Sequence, residues 1–148
     1  MACKIAISLL SESQQGTIGN DWSYSLEAKV FGTRGSHALL GQGTIDVPKH
    51  RLDSGKTQVP PGPPKTLVLP AGEAGAEILV DLRVKAAEVD LLQNDTGEMT
   101  TSFKLTCPAA GGRPVIEERE VSLGVDERPS GIGQAVFKLS YRVTLESL

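Results

Sequence analysis

A hydrophobic period of two constrains this chain more than any other feature. Ala135, Phe137, Leu139, Tyr141, Val143 and Leu145 alternate with Gln134, Lys138, Ser140, Arg142 and Thr144, and Val136 is the one apolar intruder on the polar side. Successive side chains of an extended strand point to opposite faces, so the pattern describes a half-buried antiparallel strand long enough to bend over a core. Trp22, Tyr24, Leu26, Ala28 and Val30 alternate with Ser23, Ser25, Glu27 and Lys29 in the same way. So do Ile78, Val80, Leu82 and Val84 against Glu77, Asp81, Arg83 and Lys85. In this register Trp22 and Tyr24 are core side chains rather than a ligand platform.

Weaker strand signals cover residues 4–10, 43–47, 66–69, 100–106 and 118–125. Gly and Pro clusters punctuate them, at 32–35, at Pro70-Ala71-Gly72 and at 109–114. About eight short strands with regular turns define an all-β fold, an antiparallel β-sandwich of C2-like or Greek-key type. The 148 residues suit a single sandwich domain spanning 1–148. The one helical candidate is a single turn over Pro48–Asp53. Val59-Pro60-Pro61-Gly62-Pro63-Pro64 favours polyproline II and reads as a stiff loop carrying the chain from one sheet to the other; a ligand for an SH3 or WW domain is the alternative.

A net charge of −3 lacks the basic patch of a nucleic-acid binder. No apolar run has the length of a transmembrane segment. The opening segment Met1–Leu10 is a poor signal peptide, from which a cytoplasmic location is expected. Cys3 and Cys107 do not make a disulfide framework; two reduced, partly buried thiols are expected, with one bridge as the alternative.

Catalytic motifs are sparse. His37 and His50 have no second ligand at metal spacing and are expected on exposed loops. There is no Gly-x-Ser-x-Gly elbow, and Gly131-Ile132-Gly133 precedes a strand rather than a helix, as a turn or bulge does and a phosphate loop does not. Asn94-Asp95-Thr96 has the form of a glycosylation acceptor, expected to be unused without a secretory signal.

The run from Val84 to Glu98 carries the one candidate site. It reads as a strand end followed by an acidic loop, in which Glu88, Asp90 and Asp95 offer hard oxygen donors suited to calcium. The same run also fits an acidic turn held by backbone N–H groups. Continuing the inward register of Ile78–Val84 would bury Glu88 and Asp90, so either the strand ends by residue 87 or a cation or Arg balances them.

Ile5–Leu10, then Asn20-Asp21-Trp22-Ser23-Tyr24, and later Leu82–Asp90 with Asn94-Asp95-Thr96-Gly97-Glu98, together resemble a C2 domain over roughly residues 3–106. The resemblance implies an eight-stranded antiparallel sandwich that binds calcium between loops at one end and docks on phospholipid head groups. It matches Asp21 to the second acidic position of the first loop, Glu88 and Asp90 to an Asp-x-Asp pair, and Asp95 to a later ligand. Glu88 stands where calcium binders of the family carry Asp, and Gln14, Gln15 and Gly16 occupy the region of the first acidic position. The expected function is therefore a non-catalytic module docking a protein or phospholipid surface, with weak or degenerate calcium binding. A structural or assembly protein that self-associates through sheet faces or edges, hence a homo-oligomer, is the alternative, and a small hydrolase the third.

Overall fold

The computed structural model describes residues 2–90, 94–127 and 133–148. Nine strands form in chain order, with no helix among the described residues: β1 (Ala2–Gly16), β2 (Asp21–Gly32), β3 (Leu39–Arg51), β4 (Thr57–Gln58), β5 (Thr66–Glu73), β6 (Glu77–Glu88), β7 (Asp95–Thr106), β8 (Val115–Asp126) and β9 (Gln134–Ser147). They build a two-layer antiparallel β-sandwich. One sheet runs β4-β1-β9-β8, with β5 also on β1; the other runs β3-β2-β6-β7.

The period-two strands bury the faces expected of them. Trp22, Leu26, Val80, Leu82, Phe137, Leu139 and Leu145 are inaccessible to solvent. Phe137 joins the layers, its ring 5.7 Å from Trp22 and 4.9 Å from Tyr24. Offset and tilted aromatic pairs of this kind add about 0.5–1.5 kcal/mol beyond the area they bury.

Several expectations are corrected. The strand expected over residues 4–10 runs on to Gly16, because an irregularity between Leu9 and Ser11 lets β1 stay paired with β9. The residue-for-residue pairing slips there, so the inward positions change from Cys3, Ile5, Ile7 and Leu9 to Glu12 and Gln14. Pro48–Asp53 is not helical; β3 extends to Arg51, with a second irregularity where its pairing with β2 steps from Val47 to His50. Pro48 has no N–H to give the ladder, which is why the irregularity falls there.

Pro70-Ala71-Gly72 lies inside β5 rather than ending a strand. The proline-rich loop does not change sheets, since β4 and β5 both pair with β1; the crossing between layers is made by residues 52–56, between β3 and β4. The Gly131-Ile132 part of the Gly-x-Gly lies outside the described residues.

Both cysteines are bonded to each other. Cys3 on β1 and Cys107 after β7 are 3% and 1% exposed, and the bond ties the two sheets together near the chain's start. The expectation of reduced thiols missed this because the bridge closes over 104 residues of sequence, a distance that only the sandwich topology brings together.

Candidate functional site

Antiparallel connection places the β1–β2, β3–β4, β6–β7 and β8–β9 loops at one end of the sandwich. That end is acidic. Asp21, Asp53, Glu88, Asp90, Asp95, Asp126 and Glu127 stand at or within two residues of the strand ends there, against Lys49, Arg51 and Lys56 among the described residues. Arg51 and Lys56 both turn onto Asp53, at 2.8 and 3.9 Å. Arg51 and Lys56 are thus spent on one carboxylate, while Lys49, two residues before the end of β3, stands exposed.

The four expected metal ligands come to this end but split between its inside and outside. Strand β6 continues to Glu88, and Glu88 and Asp95 are paired across β6 and β7, both pointing inward at 4% and 3% exposure. Asp21 and Asp90 are exposed. Backbone contacts knit the loops together: the Val89 N–H donates to the Asp21 carbonyl at 2.7 Å, and the Asp90 N–H to Asn94 Oδ1 at 3.3 Å. Among the described residues no three His, Cys, Asp or Glu side chains are placed to hold a metal ion together.

Glu88 is the anomaly of the site. Its Oε2 is buried without a hydrogen-bond partner. Burial pushes its carboxyl up from the usual range, the charges of Asp90, Asp95 and Asp21 push it further, and a hydrogen bond from the Asp21 backbone opposes them. Gly19 makes room for it: φ is 144°, and a Cβ there would overlap Glu88 Oε1. The Gly19 carbonyl in turn accepts from Trp22 Nε1 and Gln14 Nε2, both at 3.1 Å.

A second polar cluster was not foreseen. Glu12, 1% exposed, accepts from the Tyr24 hydroxyl on Oε1 at 2.6 Å and from Gln58 Nε2 on Oε2 at 2.9 Å, and His50 Nε2 lies 2.5 Å from the same Oε2. His50 is therefore no exposed loop residue: its side chain is 11% exposed, and Nδ1 donates to the Pro48 carbonyl at 2.8 Å. Burial first, then the Glu12 hydrogen bond and charge, raise the Tyr24 phenol far above its usual range. The irregularities at Leu9/Ser11 and at Val47–His50 create this cluster, since each moves a polar residue from the outward to the inward set. The one signal in the sequence is Pro48 within an alternating run. His37 does lie in an exposed turn, as expected, at a φ of 53°.

Just below the acidic end, a cleft of about 700 Å³ crosses the outer face of the four-stranded sheet. Ser23, Ser25, Asp46, Lys85, Thr96 and Glu98 line it, a floor of small hydroxyls with charges at the margins. No family, curated protein or solved structure matches the chain.

Proposed function

We propose that this chain is a non-catalytic binding module that docks a protein partner through its acidic end and the adjoining cleft, with calcium a weak ligand of the same end. The observation that carries the reading is the concentration of carboxylates at one end, with Glu88 buried and incompletely partnered among them. A field of one sign at the mouth of a cleft gathers ligands of the other sign and speeds their encounter. The favoured partner presents Lys or Arg side chains. An anionic phospholipid surface would be repelled unless a cation intervened, so the membrane form of the expectation is the lesser one.

A non-catalytic role is supported by the enclosure of the Glu12–His50–Tyr24 cluster, whose polar atoms are engaged with one another and with Pro48 and Gln58 rather than aimed at a cleft. The setting is supported by the Cys3–Cys107 bond. Such bonds persist in oxidising compartments and are uncommon in the cytoplasm, so the reading departs from the cytoplasmic expectation. Among the described residues no helix is long and apolar enough to cross a membrane.

The test is titration with a fluorescent Lys-rich peptide. Binding is expected at low ionic strength, weakening as salt rises, reduced in Asp21→Asn/Asp126→Asn and displaced by millimolar calcium. Absence of binding at low salt, or equal binding by the variant, would sink the reading.

A further inference from the structure

The outer face of the five-stranded sheet carries a mainly apolar row that crosses four strands, with aliphatic side chains at three of its four positions. Register places Ile116 of β8 beside Thr144 of β9, Thr144 beside Ala6 of β1, and Ala6 beside Val68 of β5. Ile116 and Val68, at the two ends, are 61% and 57% exposed. Strand spacing makes the row about 15 Å long. The neighbouring rows are charged or hydroxylic. On one side Lys4 pairs with Glu146 at 3.6 Å; on the other, Glu118 and Arg142 meet at 2.7 Å and Ser8 meets Thr66 at 3.0 Å.

This face is complementary to itself. Turning a second copy about a two-fold axis that runs parallel to the strands, between β9 and β1, keeps each row at its level and reverses the strand order. Ile116 then faces Val68 of the second copy, and Val68 faces its Ile116. Thr144 faces Ala6. Lys4 faces Glu146 and Glu146 faces Lys4, so every charge of that row meets its opposite, while Arg142 and Glu118 face the hydroxyls of Ser8 and Thr66. An arbitrary orientation does not do this: sliding one copy along the strands by two residues sets the apolar row against charges. Matching rows of one surface against themselves is what an isologous dimer requires.

We propose that this face is the dimer interface of the protein, and that its partner is a second copy of this chain. It lies on the opposite layer from the cleft, so a dimer leaves both clefts outward and open. The inference stands independently of the acidic end: it concerns different residues and gives the module two docking sites per assembly, which raises its avidity for a partner with repeated basic segments.

Sedimentation equilibrium on the oxidised protein tests it. The wild type is expected to be a dimer, and Ile116→Glu, a substitution at an exposed position, to weaken dimerisation at least about tenfold while circular dichroism stays unchanged. Glu146→Lys alone sets like charges together and is expected to weaken it too. Lys4→Glu/Glu146→Lys reverses both charges, restores each pairing and is expected to recover the dimer. Asp21→Asn/Asp126→Asn is expected to leave it untouched. A wild type that is monomeric throughout the micromolar range, or an Ile116→Glu variant that dimerises as well as the wild type, overturns the proposal.

Discussion

Glu88 shows how one residue can be built into the fold against its own ionisation. In the unfolded chain its carboxyl titrates as an ordinary glutamate; in the folded protein, burial and the acidic neighbours hold the proton to higher pH. The unfolded state therefore releases its proton first. Any stability from this group is complete below the ordinary glutamate range, about pH 4, and is lost as pH rises through the raised folded value. Above that range the unfolded carboxyl ionises more readily than the folded one, so the group opposes folding. Glu88→Gln is thus expected to raise the melting temperature at pH 7 to 8, and the advantage should fade as the buffer is brought below about pH 4. Melting curves across pH check this; a variant less stable at pH 7 would mean that the ionised carboxylate has a stabilising partner after all. The acidic character of the run was legible in the sequence, and so was the inward register that makes Glu88 unusual. What was not legible was the parting of the four carboxylates. Glu88 and Asp95 face inward because they are paired on adjacent strands, and that pairing depends on where β7 begins, which the sequence signal placed at residue 100 and the structure at Asp95.

At the scale of the strands, the alternation located the elements and failed at two places where pairing slipped. Glu12 and His50 both lie just beyond such a slip, and strict period-two reading puts both on the wrong face. A slip costs nothing in composition, so no local signal marks it, save a residue such as Pro48 that cannot pair. The same limit applies to contacts between the layers. Two sheets that twist over each other converge at the corners, and β7 meets β8 at one of them without pairing to it. A Cβ on Gly97 would overlap the Gly124 carbonyl oxygen and crowd Val125 and Leu123, whereas one on Gly124 meets nothing within 4 Å. Gly97 turns inward onto the backbone of Gly124 while Gly124 turns outward, so the two differ in what they tolerate. Gly97→Ala is expected to cost about 1–3 kcal/mol, because backbone rather than a flexible side chain must give way. Gly124→Ala is expected to be neutral or to stabilise by about 0.5 kcal/mol, through lower freedom of the unfolded strand. Urea midpoints compare them directly, and equal effects would mean that the corner is looser than its geometry.

The molecule as a whole is held by links that join distant parts of the chain, and these were the least legible of all. One continuous core runs between the sheets, and eight of the nine strands were signalled in the sequence, the two-residue β4 being the exception. Their order could not, because a sheet order of β4-β1-β9-β8 puts the first strand beside the last. The Cys3–Cys107 bond depends on that order, since it joins the central strand of one sheet to the end of an edge strand of the other. A crosslink over 104 residues restricts the unfolded chain far more than the folded one. The chain-entropy view gives about 4–5 kcal/mol for a loop of this length, and measured losses for native disulfides run at about 2–5 kcal/mol. For a protein of this size Cys3→Ala/Cys107→Ala is then expected to lower the melting temperature by roughly 5–15 °C. Reductant should lower the wild type towards the same value and leave the variant where it is. Because both sulfurs are buried, reduction should be slow in the folded protein and rapid once denaturant is added. Intact mass measured without reductant should show the wild type two hydrogens lighter than its fully reduced form. A wild type of reduced mass, melting with the double variant, would show that the two sheets hold together on the core alone.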